Sequence, residues 1–168
     1  LWVVDAQKVS GYWFTEGFTV RYARTIALRT GAIAPQKYLD EINRHAAGYY
    51  ASEVRGASNA EIERGLEDGT GHADLGYVPY WKGGLFADEL DGAIRARSGG
   101  KRSLDDVMRE LYALGKRAPR NAAGYAEVRE DAVRAAIEKE LGPAGAARFD
   151  AVVRKGDIAR PAPDALGP

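Results

Sequence analysis

The sequence of 168 residues contains no cysteine and only two histidines, His45 and His72. The absence of cysteine excludes disulfide bonds and thiolate metal sites. A zinc site within one chain usually takes three protein ligands. This chain reaches three only if both histidines join a carboxylate, and such a rebuilt zinc site is one hypothesis. The simpler interpretation places His45 on a partly buried helix face and His72 in a Gly-rich surface loop.

Net charge is also absent, because 24 lysines and arginines balance 24 aspartates and glutamates. A chain without a basic excess is not expected to bind nucleic acid. The sequence contains no apolar run long enough to span a membrane and no visible signal peptide. It begins with Leu1 rather than methionine, so we expect a fragment or processed product, and the missing signal peptide says nothing about localisation.

Apolar residues recur mostly at helical spacing, and strand patterns are scarce. The sequence predicts an all-α fold, an irregular bundle of about six helices. Expected helices cover about residues 15–30, 35–50, a short stretch after residue 58, 79–97, 104–115, 127–141 and a last turn around 149–153. We predict one domain over residues 1–158 and a Pro-rich linker or tail over residues 159–168. Residues 1–12 are expected to be an extended N-terminal segment.

A lone carboxylate stands in the aromatic stretch Trp13-Phe14-Thr15-Glu16-Gly17-Phe18-Thr19. Helical spacing puts Val20, Ala23 and Ala27 on the same face as Glu16. We therefore expect Glu16 to point into the protein, where a carboxylate needs a cation, a metal or donors. Its plainer interpretation is an acidic residue in the first turn of a helix, favoured by the macrodipole.

Three arginines of this first helix, Arg21, Arg24 and Arg29, are expected to face solvent. A second stretch, Tyr77-Val78-Pro79-Tyr80-Trp81-Lys82-Gly83, opens a later helix. Gly83 and Gly84 lower the helix propensity there. A close approach of another helix is one reason to keep them.

The two stretches together resemble the gluzincin metallopeptidases, which share W-x-x-E-G-F and a downstream Tyr-x-Lys-Gly. Two more specific segments, E-G-F-T and the run from Arg97 to Val107, are similar to the glycyl aminopeptidase family. This resemblance covers about residues 13–153. It implies a helical fold like the C-terminal subdomain of thermolysin-like peptidases, in a zinc aminopeptidase that hydrolyses peptides and often carries a following PDZ domain.

The resemblance also implies roles for single residues. Glu16 matches the third zinc ligand, and Tyr80 matches the tyrosine that donates to the developing oxyanion. Tyr77 is a weaker candidate for the substrate pocket. Gly17 and Phe18 match the motif as packing residues, and the Lys82-Gly83 pair is assigned no chemistry.

The family's H-E-x-x-H motif is missing from this sequence, and the resemblance places it just before Leu1. The expected partner is therefore the missing N-terminal half of the catalytic domain. The chain alone is expected to be inactive, to hold no stoichiometric Zn²⁺ and to self-associate through its uncovered apolar face. The alternative is a noncatalytic helical interaction domain on the same scaffold. An exported or periplasmic location follows from the family alone.

Overall fold

Seven α-helices make up most of the described part of this computed structural model, which covers residues 2–3, 11–69, 71–122, 124 and 126–166. The helices are α1 (Tyr12–Arg29), α2 (Pro35–Ala51), α3 (Asn59–Glu67), α4 (Val78–Ser98), α5 (Leu104–Arg117), α6 (Glu130–Leu141) and α7 (Pro143–Phe149). Two short strands, β1 (Trp2–Val3) and β2 (Glu127–Val128), pair in parallel. The predicted all-α irregular bundle is confirmed. No described helix is long and apolar enough to cross a bilayer.

Local sequence signals explain several helix ends. Ser58 and Ser103 each form a capping box with the acidic residue three positions later, as the sequence indicates. Gly99 ends α4 in the left-handed conformation, which glycine adopts without steric cost. Helix α1 begins at Tyr12, so Thr15 lies inside the helix rather than at its start.

The first helix therefore starts one turn earlier than expected. Helix α6 begins at Glu130 rather than near residue 127 because Glu127 and Val128 pair with β1. Of the predicted extended N-terminal segment, Trp2 and Val3 form β1, and residues 1 and 4–10 lie outside the described residues.

The main core lies around α4, which packs along α1. Aromatic rings fill its centre: Trp13 makes edge contacts with Phe14, Phe18 and Phe149, at centroid distances of 5.4–5.8 Å. Such edge-to-face pairs add to the free energy gained by burial. Trp13 and Phe18, singled out in the sequence motif, thus pack in the core.

The segment predicted as a linker or tail contacts the helices over its described part. The amide of Ala159 donates to the Tyr49 hydroxyl at 3.2 Å, and the Tyr50 hydroxyl donates to the Ala159 carbonyl at 2.9 Å. A 3-10 turn, Pro163–Leu166, then lies against α4, where Ala165 approaches Gly92. Residues 159–166 therefore pack on the bundle, while residues 167–168 lie outside the described part.

Candidate functional site

The candidate site lies where α1 crosses α4 through glycine residues. Gly17 faces Gly83, and a Cβ on either glycine would overlap the backbone of the other helix. Gly83 also lies against the carbonyl oxygen of Trp13, so no larger side chain fits there. The predicted close approach of a second helix at Gly83 is confirmed.

This crossing brings Glu16 and Tyr80 together, although 64 positions separate them in the sequence. Both side chains are half-buried, and the Glu16 carboxylate lies close enough to the Tyr80 hydroxyl to affect its pKa. The pKa of Tyr80 is raised, first because burial disfavours the phenolate and then because of the nearby Glu16 carboxylate. Tyr80 is therefore a neutral donor at neutral pH.

The expected burial of the face that carries Glu16 is wrong. Ala23 is exposed, and Val20 and Ala27 are half-buried. The buried face of α1 instead carries Arg21 and Arg24 together with the aromatic residues of the motif. Small side chains bury little apolar area, so the larger aromatic face determines the helix orientation.

Aromatic residues flank Tyr80 at the start of α4, where Tyr77 is the N-cap. Tyr77, Tyr80 and Trp81 share one helix face by their spacing. The rings of Tyr77 and Trp81 stack at 5.5 Å with an interplanar angle of 19°. Tyr77 is 60% exposed, whereas a Cβ on Gly48 of α2 would lie 2.9 Å from the Trp81 ring. Trp81 is thus fixed against α2 and supports the exposed ring of Tyr77.

The two histidines take no part in this arrangement. Burial, and then the charges of Arg24 and Arg44, lower the pKa of His45 to about 4. His72 accepts a hydrogen bond at Nδ1 from the amide of Asp74 and lies in a short turn. Within the described ranges, no three or more metal-ligating side chains converge. The hypothesis of a zinc site rebuilt from both histidines gains no support.

The residues around Glu16 fit one ligand of a metal site. The residue is half-buried, directly precedes Gly17 of the close helix crossing and lies near the neutral hydroxyl of Tyr80. Carboxylate oxygen is a common zinc ligand, but a catalytic site takes three protein ligands. Glu16 is the one candidate ligand that the family resemblance assigns in this chain, and the sequence contains no H-E-x-x-H motif.

Sequence reasoning missed a buried ionic network farther along the same helix pair. Arg21 and Arg24, expected to face solvent, are only 4% and 7% exposed. Arg21 contacts Asp88 at 3.3 Å and Asp91 at 2.9 Å, and Arg24 contacts Asp88 at 3.4 Å. The signal was present as matching spacing, because the two arginines and the two aspartates are each three residues apart on facing helices.

Burial affects the charges of this network. The pKa of Asp88 is raised mainly by burial, while Arg24 and Arg21 oppose the shift. The pKa of Arg24 is lowered by burial and partly restored by Asp88. Each buried charge therefore depends on its partner across the helix pair. Asp91 also accepts from the amide of Leu104 at 2.8 Å, which ties α5 to the network.

Lys82, in the Tyr-x-Lys-Gly motif, has a structural contact. Its ammonium group donates to the carbonyl of Ala57 at 3.0 Å, and the residue is buried. Burial lowers its pKa to about 8, although Asp157 and Glu61 favour the charged form. Lys82 therefore ties α4 to the loop before α3.

Comparison with known proteins supports the resemblance over part of the chain. No curated protein matches this sequence. The matched family segment contains Glu16 and helices α1, α2 and α3 but ends before Tyr80. The position of Tyr80 near Glu16 is known from the structure alone. Residues 4–68 match the family model of the M61 glycyl aminopeptidases, which confirms the family resemblance for this stretch of the chain.

Proposed function

We propose that this chain forms the helical part of a zinc aminopeptidase catalytic site, with Glu16 as a zinc ligand and Tyr80 as the oxyanion donor. The family match already indicates a peptidase-related domain. The observation that carries the finer assignment is the proximity of Tyr80 and Glu16, which lie close enough for the carboxylate to raise the pKa of the phenol. The family resemblance assigns a role to each of these residues, although they lie in separate motifs. The crossing of α1 and α4 at Gly17 and Gly83 brings the two motifs together.

The proposed roles follow from the chemistry of the two groups. Zinc, when bound, polarises the substrate carbonyl and lowers the pKa of bound water. Tyr80 keeps its proton because burial and Glu16 raise its pKa. A positioned donor of this kind contributes roughly 3–4 kcal/mol of transition-state stabilisation. Tyr77, exposed and supported by Trp81, borders the same face and contacts the peptide in this proposal.

The remaining ligands would come from the element that covers the face of α1 around Glu16. That face leaves Ala23 exposed and Ile26 53% exposed, so a second helix can pack there. In this proposal the covering helix carries H-E-x-x-H. The isolated chain then has a single zinc ligand, binds zinc weakly and has no peptidase activity.

The first test is the sequence encoded immediately before Leu1, together with a calorimetric zinc titration of this chain. We expect H-E-x-x-H upstream and no stoichiometric zinc binding by the isolated chain. Absence of the motif would leave Glu16 without co-ligands and would favour the noncatalytic interaction domain. Stoichiometric binding by this chain alone would refute the shared-site proposal.

The second test uses the protein that contains the upstream motif. Glu16→Gln should remove most of the bound zinc and abolish peptide hydrolysis, because the amide is a much weaker zinc ligand. Tyr80→Phe should retain zinc and lower kcat roughly a hundredfold or more. Glu53→Gln and Tyr112→Phe, at exposed positions, are the matched controls. Full zinc content and turnover in Glu16→Gln would disprove the ligand role.

A further inference from the structure

A cavity lies away from the Glu16–Tyr80 pair, along the C-terminal half of α1. Its volume is about 670 Å³, within the range of small-molecule sites. Helices α1, α2 and α4 and the 3-10 turn at Ala165 border it, and it is partly open to solvent. The apolar part of its wall comes from Leu28, Pro35, Tyr38, Leu39 and Ala165. Neither Glu16 nor Tyr80 lines this cavity, so it is separate from the proposed catalytic site.

The charged part of the cavity wall carries more arginine than aspartate. Arg21, Arg29, Arg95 and Asp91 line it. They belong to an ion-pair network whose four arginines and three aspartates leave one positive charge in excess. The members are Arg21, Arg24, Arg29, Arg95, Asp88, Asp91 and Asp105.

The network also holds more donors than its carboxylates satisfy. Within the described part of the chain, no hydrogen-bond acceptor reaches Arg21 Nη1, Arg24 Nε or Arg24 Nη1. Unsatisfied buried N–H groups raise the free energy of the folded state and maintain a positive potential beside the cavity. Arg29 and Arg95 keep 46% and 41% of their side chains exposed. Their guanidinium groups are therefore accessible to a ligand.

We infer that this cavity binds a small amphipathic monocarboxylate, with its apolar body between α1 and α2 and its carboxylate beside Arg29 and Arg95. One negative charge neutralises the excess of the network. The planar guanidinium groups suit a carboxylate, which accepts two parallel hydrogen bonds. The apolar wall favours a ligand with a hydrocarbon body over a bare anion.

The inference is tested on this chain with octanoate as the probe. Calorimetry should show one saturable site for octanoate below its micelle concentration, weaker binding of octan-1-ol and no binding of octylammonium. NMR of the labelled chain should place the shifted amides along the cavity wall. Equal affinity for octanoate and octan-1-ol would overturn the carboxylate selection, and shifts confined to another surface would overturn the site.

Matched variants separate charge from shape. Leu39→Glu puts a negative charge in the cavity wall and should weaken octanoate binding roughly tenfold or more. Leu39→Gln, with a similar shape, should change it far less. Leu66→Glu makes the same exchange at an exposed leucine of α3 that does not line the cavity, and should leave the affinity unchanged. Equal losses in all three variants would contradict the inference.

A further variant tests the excess charge itself. Arg95→Gln removes one cation of the network, so the preference for octanoate over octan-1-ol should disappear while the weak binding of octan-1-ol remains. Circular dichroism checks that the variant is folded. Sedimentation tests whether a second copy of this chain covers the cavity instead. A dimer that Leu39→Glu dissociates, combined with no octanoate binding, would assign this face to self-association and overturn the inference. The outcome is independent of the zinc proposal, because no zinc is involved.

Discussion

The carboxylates at the two ends of the α1–α4 interface have different surroundings. At the C-terminal end of α1, Asp88 and Asp91 are buried, and Arg21 and Arg24 face them across the interface. At the other end, Glu16 is half-buried and lies near the neutral phenol of Tyr80, and no basic side chain in the described part of the chain forms an ion pair with it. The first group of charges is largely paired within the chain, whereas the described residues give Glu16 no cationic partner. This difference distinguishes a structural carboxylate from a ligand candidate.

The largest expected effect comes from breaking the structural end. Asp88→Ala leaves Arg21 and Arg24 short of their common partner and should lower the free energy of unfolding by about 3–5 kcal/mol. Chemical denaturation measures the change. Glu110→Ala removes an exposed ion pair with Lys139 and should cost about 1 kcal/mol or less. Similar losses in both variants would mean that the buried network contributes no more than a surface pair.

The next largest effect is expected at the glycine crossing between α1 and α4. Gly83→Ala should lower the free energy of unfolding by roughly 3 kcal/mol or more, because its Cβ would overlap the Trp13 carbonyl and the backbone of Gly17. Alanine has the higher helix propensity, so any destabilisation must come from the crossing. Gly76→Ala, at a glycine whose Cβ would meet nothing within 4 Å, should be nearly neutral. A stable Gly83→Ala variant would contradict the close crossing.

The next prediction concerns the buried charge of Lys82, which follows Tyr80 by two residues on α4. Its pKa of about 8 in the folded state lies below the unfolded value of about 10.4. The unfolded chain therefore binds more protons between these pH values, and stability should rise with pH across this window. We expect the term to be about 2–3 kcal/mol.

The measurement is the free energy of unfolding at both ends of that pH window, compared between the unaltered chain and Lys82→Met. The difference between the two proteins isolates Lys82 from the tyrosines that titrate in the same range. Lys139→Met, at a largely exposed lysine, is the control and should show no such term. An unchanged pH dependence in Lys82→Met would refute a lowered pKa at Lys82.

The smallest expected effect is a shift in the pKa of Tyr80 when the charge of Glu16 is removed. Glu16→Gln should lower the pKa of Tyr80 toward its ordinary value, because the carboxylate charge no longer opposes the phenolate. The shift should be incomplete, since burial is the largest cause. NMR titration of ring-labelled tyrosine measures it, with Glu53→Gln as the control. If Glu16→Gln leaves the Tyr80 pKa unchanged, the two side chains do not interact in solution.

The helices were more predictable than their orientation. Capping boxes at Ser58 and Ser103 and the glycine stop after Ser98 are local signals that can be read in the sequence, and the structure contains each of them. The inward face of α1 was mispredicted, because a pattern of small apolar residues suggested one face while large aromatic side chains and two paired arginines occupy another. Arginine is buried only where a partner exists, and the partner lies 64 to 70 positions away in α4.

The sequence by itself determined the helical composition, the capping signals and the family resemblance of the Glu16 motif. It also pointed to Gly83 as a place where a second helix approaches. Only the tertiary structure decided that Glu16 meets Tyr80 and that Arg21 and Arg24 are buried against Asp88. The physical reason is range: helix starts and stops depend on residues a few positions apart, whereas the partner of a carboxylate depends on which helices cross and on the glycines that let them do so.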